Sequence, residues 1–200
     1  MNKHLSTQKL CFIGLFGALS TILMLFQVPL FFAPSFLKLD LSELPAILGG
    51  FMFGPLSGFM IVVVKLLLNL LIDGSDTMYV GELSNLVLSS TYVLTSSIIY
   101  VKHKTKKQAI IGLTSGVLLT SFLAVISNLF VVYPMYAQLY GIGMDGLLKL
   151  SHAVNPFVTD NLTMMLFSVL PFNLVKYTVV SLITFLLYKK LHVAIMKYIA

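Results

Sequence analysis

Long apolar runs follow one another along almost the entire chain, and this pattern limits the possible folds more than any other feature. The 200 residues are 58% hydrophobic and 10% charged, whereas an ordinary soluble domain is about 25% charged. A soluble protein of this length could not bury so much apolar surface. Each long run approaches the ~20 apolar residues of a helix that crosses a bilayer. The sequence therefore predicts an all-α integral membrane protein, with residues 1–200 forming one transmembrane domain.

Six segments have the length and composition of membrane-crossing helices, so we expect a six-helix bundle. A short helix covered by protein needs somewhat fewer apolar residues than a free-standing span. The first five segments are predicted at residues 9–30, 42–53, 55–72, 82–101 and 108–133. The sixth ends near Tyr188. Its start stays open, because the apolar run begins at Leu162 while Pro171 suits a first helical position.

The lysines predict how these spans are oriented. Nine of the thirteen form three groups: Lys3 and Lys9 before the first span, the KHKTKK segment at 102–107, and Lys189, Lys190 and Lys197 after the last span. With six spans, all three groups fall on one side and all seven acidic residues fall on the other. Because cytoplasmic loops carry excess lysine, we expect both termini in the cytoplasm. The net charge of +6 thus indicates topology and not nucleic-acid binding.

Lys65 lies deep inside an apolar segment. Lys65, in IVVVKLLLNLL, is roughly 15 Å from the start of the third span at the helical rise per residue. A charge at that depth costs about 2.5–3.5 kcal/mol and faces a protein interior or a wet cavity. Asn69, four residues on, shares its helical face. The sequence leaves two roles for Lys65 equally open: a structural contact with an acid or backbone carbonyls, and direct contact with a ligand.

Polar side chains recur near the outer ends of three other spans. They are Glu82 and Asn85 in the fourth span, Asn128 in the fifth, and Asn173 and Lys176 in the sixth. Each one alone could be a helix cap or an interhelical hydrogen bond. Together, at similar depth, they predict an outward-opening pocket for a small molecule with a polar edge and an apolar body.

The sequence contains no motif for ATP hydrolysis or for other catalysis. No Gly-x-x-x-x-Gly-Lys-Ser/Thr phosphate loop occurs, so the chain cannot hydrolyse ATP by that route. The four histidines lie at ends or in loops without metal-ligand spacing. We therefore expect neither an enzyme nor a metal site. Gly14 and Ala18, in a small-x-x-x-small spacing on the first span, would let another helix approach closely.

Four stretches together identify a family. KLDLSELPAILGGFMFGPLSG at 38–58, VKLLLNLL at 64–71, GELSNLVL at 81–88 and PFNLVKY at 171–177 resemble the substrate-binding S components of energy-coupling factor transporters, in particular the riboflavin-specific ones. The resemblance covers residues 10–190. It implies a bacterial plasma-membrane protein that captures riboflavin from outside. It also implies three protein partners: a coupling transmembrane protein and two ATP-binding subunits. No cofactor is implied.

The resemblance also implies roles for particular residues. The loop at 31–42 would close over the ligand, so we expect contacts from Leu39, Asp40 and Leu41. Asn128, Asn173 and Lys176 match positions that hydrogen-bond the flavin. Gly14 and Ala18 stand where the family has an Ala-x-x-x-Ala docking surface for the coupling protein. Gly49, Gly50 and Gly54 would end the short second helix.

Three other functions stay open from the sequence. The first is an S component for another vitamin, such as thiamine, pantothenate or a pterin. The absence of tryptophan argues mildly against stacking sites that depend on that residue. The second is a small intramembrane enzyme, for which no converging catalytic groups are visible. The third is a secondary carrier that works without ATPase partners.

Overall fold

The computed structural model of the chain describes residues 7–34, 36–75 and 77–199, with side chains described as far as residue 190. Lys3, Asp76 and Lys197, on which the predicted orientation partly depends, lie outside the described side chains. The described residues form nine α-helices, two short strands and two π-helical segments. The α-helices are α1 (Thr7–Leu25), α2 (Glu43–Phe53), α3 (Pro55–Ile72), α4 (Val80–Val101), α5 (Lys106–Ser127), α6 (Tyr133–Leu139), α7 (Gly143–Val154), α8 (Asn161–Met164) and α9 (Leu170–Ile199).

Four helical stretches within the described residues are long and apolar enough to cross a membrane. They are Thr7–Leu25, Pro55–Ile72, Lys106–Leu139 and Asn161–Lys190. Helix α2 is apolar but shorter. Helix α4 has 22 residues, but its many serines and threonines lower its hydropathy. The structure thus confirms a helical membrane protein, with α2 and α4 outside the group that qualifies by length and composition.

Helix α2 lies at the centre of the bundle. Nine of its eleven residues are buried, and it packs on α1, α3, α4 and α9. Gly49 and Gly50 lie within this helix, so the expectation that they end it is wrong. A Cβ on Gly50 would collide with the Ser97 side chain of α4, so glycine is needed for this close approach. Gly54, at φ 101°, ends the helix, and Pro55 opens α3.

The predicted ends of two spans need correction. Helix α1 stops at Leu25 and not near Leu30, because residues 28–29 pair with 38–39 instead. Strand β1 (Val28–Pro29) and strand β2 (Lys38–Leu39) form an antiparallel hairpin between α1 and α2. The fifth span continues to Leu139, six residues past its predicted end.

The sixth span begins at Asn161, so Pro171 is inside a continuous helical stretch and does not open it. A π-helical segment, Met165–Val169, precedes this proline. Proline has no N–H to donate to the carbonyl four residues earlier. Here that carbonyl, on Phe167, accepts a 2.9 Å hydrogen bond from Asn155 Nδ2 instead. The asparagine therefore compensates for the proline and lets the helix continue.

Candidate functional site

A cavity of about 330 Å³ opens between the hairpin, the loop after α3 and the helices behind them. This volume is at the lower end of the range for small-molecule sites, about 300–1,000 Å³. Its lining combines aromatic rings with amide, carboxylate and ammonium groups. The lining residues that matter below are Phe36, Asp40, Asn69, Glu82, Asn85, Asn128, Tyr136, Phe172, Asn173, Lys176 and Tyr177.

Four charged side chains meet at the base of this cavity. Lys176 Nζ lies 2.9 Å from Asp40 Oδ2 and 3.4 Å from Glu43 Oε1. The same Glu43 oxygen is 3.3 Å from Lys65 Nζ. All four side chains are buried, and two positive charges balance two negative ones. Since an unpaired buried charge is strongly destabilising, removal of any one of these charges should destabilise the protein.

The set joins parts of the chain that are distant in sequence. Asp40 follows strand β2, Glu43 opens α2, Lys65 is on α3 and Lys176 is on α9. The Asp40 carboxylate also accepts a 2.8 Å hydrogen bond from the Ser42 backbone N–H. The charged groups therefore fix the end of the hairpin to the helices that line the cavity.

Asn128 and Asn173 line the cavity and make the same local hydrogen bond. Asn128 begins the π-helical segment Asn128–Val132, and Asn173 follows the π-helical segment Met165–Val169 by one turn. Each asparagine donates its Nδ2 to the carbonyl four residues earlier, at 2.7 Å for Asn128 and 2.8 Å for Asn173. Each side-chain oxygen is thereby left to accept hydrogen bonds from a molecule in the cavity.

The hairpin is held against the cavity by aromatic contacts. The Phe36 ring, between the two strands, meets Tyr133 and Tyr136 edge to face, with centroids 5.5 and 6.0 Å apart. Asn155 Nδ2 also donates to the Phe32 carbonyl over 3.4 Å. The hairpin is thus in contact with α6 and with the residue that directly follows α7.

Six of the nine predicted ligand-binding residues line the cavity. They are Asp40, Glu82, Asn85, Asn128, Asn173 and Lys176. The other three do not. Lys65 is fully buried behind the wall, while Leu39 and Leu41 flank Asp40 without lining the cavity. Gly14 and Ala18 lie on α1 away from the site. Gly14 is exposed, and a Cβ added to it meets nothing within 4 Å.

Several lining residues were not predicted as site residues. Tyr136 and Tyr177 place aromatic rings in the wall, and Asn69 contributes a buried Nδ2 that has no hydrogen-bond partner among the described residues. The spacing of Asn69 from Lys65 was a signal for this one. Aromatic residues in apolar helices carry no such signal, because packing in the bundle explains them equally well.

The fold and the cavity define a membrane-embedded binding protein for a small molecule, and comparison with known proteins identifies its family. The family model "ECF transporter, substrate-specific component" matches residues 8–188. The chain belongs to this family. It is therefore a component of a transporter and not an enzyme, and it is a multi-pass protein of the bacterial cell membrane.

Individual relatives agree with the family. The chain is 30% identical to riboflavin transporter RibU of Staphylococcus aureus, over 95% of this chain and 90% of that protein. It is 25% identical to riboflavin transporter FmnP of Bacillus subtilis, over 94% and 93%. A solved structure, described as the S component of a bacterial ECF transporter, superposes with a TM-score of 0.75 at 28% identity, covering 94% of this chain and 96% of that one.

Proposed function

We propose that this chain is a riboflavin-binding S component that captures the vitamin from outside the cell. The observation that carries the proposal is the convergence of Asn128, which directly follows α5, with Asn173 and Lys176, both on α9, on one cavity of about 330 Å³. The riboflavin transporters among its relatives match over nearly their whole length. The relatives and the residues of the cavity therefore support the same ligand.

The chemistry of the cavity suits the isoalloxazine ring. That ring has carbonyl acceptors and an imide N–H donor along one edge. The side-chain oxygens of Asn128 and Asn173 can accept from the imide, while an ammonium only donates, so Lys176 suits a carbonyl. The apolar face of the ring would lie against the Tyr136 and Tyr177 rings. A ligand that left one of these buried polar groups unpaired would lose about 1–3 kcal/mol.

Titration of the purified chain with riboflavin tests this proposal. Flavin emission should be quenched on binding, because tyrosine rings line the cavity. Asn173→Ala should weaken binding about tenfold or more. Asn161→Ala makes the same change at an exposed asparagine outside the cavity and should bind as the unmodified chain does. If micromolar riboflavin caused no quenching and the chain bound thiamine, pantothenate or a pterin instead, the proposed ligand would be wrong. The assignment to the family would stand.

We propose in addition that six segments cross the membrane, with both termini in the cytoplasm. They are α1, α2, α3, α4, the stretch from α5 to α6, and the stretch from α8 to α9. Single cysteines at Lys104 and Asp145 in a Cys11→Ser background test this. A membrane-impermeant maleimide added to intact cells should label position 145 and not 104. The reverse labelling would overturn the orientation.

The proposed partners are a coupling transmembrane protein and two ATP-binding subunits. The exposed Gly14 and the half-buried Ala18 on α1 support a helix docking surface, because small side chains allow close approach. Gly14→Leu should abolish riboflavin uptake in cells while leaving binding by the purified chain unchanged. Uptake that persists in cells lacking the ATPase partners would favour the secondary carrier instead.

A further inference from the structure

Asn85 stands between the cavity and the buried charges. It lines the cavity from α4, and its Oδ1 accepts a 3.0 Å hydrogen bond from Lys65 Nζ. Lys65 itself is completely buried and does not reach the cavity. Its ammonium also donates to Ser42 Oγ at 3.0 Å and lies 3.3 Å from Glu43 Oε1. With a further contact to Ser89 Oγ at 3.4 Å, the lysine is therefore held in place by groups other than Asn85 as well.

We infer that Lys65 is a positioning residue, which turns the Asn85 amide so that its Nδ2 donates into the cavity. A lysine ammonium carries only donors, whereas an asparagine amide carries both an acceptor and two donors. The oxygen of Asn85 must therefore face Lys65, because the reverse orientation would set N–H against N–H. The role in binding rests on the proposed function, since riboflavin is the molecule that would accept this hydrogen bond.

The neighbouring hydroxyl does not replace the lysine. Ser89 Oγ lies 2.8 Å from Asn85 Oδ1 and 2.7 Å from Glu43 Oε1. A hydroxyl has one hydrogen to donate, and hydrogen bonds to a carboxylate are the stronger ones. Ser89 therefore donates to Glu43, and Lys65 is left as the group that fixes the amide. The Glu43 carboxylate in turn keeps the buried lysine paired.

Local contacts thus give the cavity walls opposite hydrogen-bonding character. Asn128 and Asn173 spend an N–H on their own helices and offer an oxygen to the cavity. Asn85 spends its oxygen on Lys65 and offers N–H groups. The same residue type therefore acts as acceptor on two walls and as donor on the third. A ligand must present an acceptor toward α4, which a flavin carbonyl or ring nitrogen does.

A double-mutant cycle on riboflavin affinity tests the inference. Asn85→Leu removes the donor, and Lys65→Met frees the amide to turn. Each should weaken binding roughly tenfold, the effect of one lost hydrogen bond to a buried group. If Lys65 acts through Asn85, the double variant should be no weaker than either single variant. As the comparison, the losses of affinity caused by Lys65→Met and Asn128→Ala should multiply in the combined variant, to roughly a hundredfold.

A purely structural role for Lys65 would give a different pattern of affinities. If Lys65 were purely structural, the loss of affinity caused by Lys65→Met would multiply with the loss caused by Asn85→Leu, as it does with the loss caused by Asn128→Ala. That result would overturn the inference. Should Lys65→Met fail to fold, the double variant Lys65→Met/Glu43→Gln removes both charges of this buried ion pair. This double variant should still bind riboflavin about tenfold more weakly. Full affinity in this paired variant would also overturn it. An unmodified chain that does not bind riboflavin would instead overturn the proposed function, and the inference with it.

Discussion

Removal of the Lys176 ammonium should separate the stability of the hairpin from the binding of ligand. Lys176→Met leaves Asp40, which is 4% exposed, as a buried carboxylate without its partner at 2.9 Å. Breaking one side of a buried ion pair costs about 3–5 kcal/mol. Glu43 keeps Lys65 at 3.3 Å, so the loss is confined to Asp40. For a chain of this size, that cost lowers the melting temperature by roughly 6–20 °C.

A second substitution should restore stability without restoring binding. Asp40→Asn removes the unpaired charge, while its side-chain oxygen can still accept the Ser42 N–H. Replacement of both partners of a buried pair is often neutral, so Asp40→Asn/Lys176→Met should melt close to the unmodified chain. Riboflavin binding should stay at least about tenfold weaker, because the donor that lines the cavity is still missing.

Thermal unfolding in detergent and flavin quenching measure the two effects separately. Lys107→Met makes the same change at an exposed lysine and should alter neither. An unchanged melting temperature for Lys176→Met, or no recovery of stability on adding Asp40→Asn, would contradict this prediction. Full riboflavin affinity in the double variant would also contradict it, since Lys176 would then hold the hairpin without contacting the ligand.

Three further predictions concern packing and a helix cap. Gly112→Ala places a Cβ 2.6 Å from the Ser96 carbonyl and should lower stability by about 1–3 kcal/mol, whereas Gly14→Ala should not change the melting temperature. Phe51→Ala, at a residue 2% exposed, should cost about 3–5 kcal/mol in the same assay. The hydrogen bond from the Thr163 backbone N–H lowers the pKa of Asp160 below its usual 3.8. The charged cap therefore stabilises the fold above that pH, and this stabilisation is lost as the pH falls through the lowered pKa. Melting temperatures of Asp160→Asn, measured against pH, should lack this acid-dependent loss.

The helices followed from the sequence because their causes are local. An apolar run of membrane length with Pro55 at its start predicted α3, and the shorter apolar run that ends at Gly54 predicted α2, both almost residue for residue. Lipid solvation acts on each segment separately, so composition is sufficient there. The end of α1 was placed too late, because the pairing of residues 28–29 with 38–39 is a contact between two segments and leaves little trace in composition.

The candidate site was predictable as a set of polar residues but not as an arrangement. Polar side chains are costly in an apolar segment, so the sequence itself marked Asn85, Asn128, Asn173 and Lys176. It could not distinguish Lys65, behind the wall, from Lys176, in the wall, because both are lysines within apolar helices.

The sequence by itself thus determined that the chain is a membrane protein, where its long apolar helices lie to within a few residues, and which side chains need polar partners. The tertiary structure alone decided which partners they found, and therefore which lysine lines the cavity and which way each asparagine turns. The physical reason is that insertion in lipid depends on each segment separately, whereas hydrogen bonding and charge pairing depend on atoms brought within about 3 Å by packing.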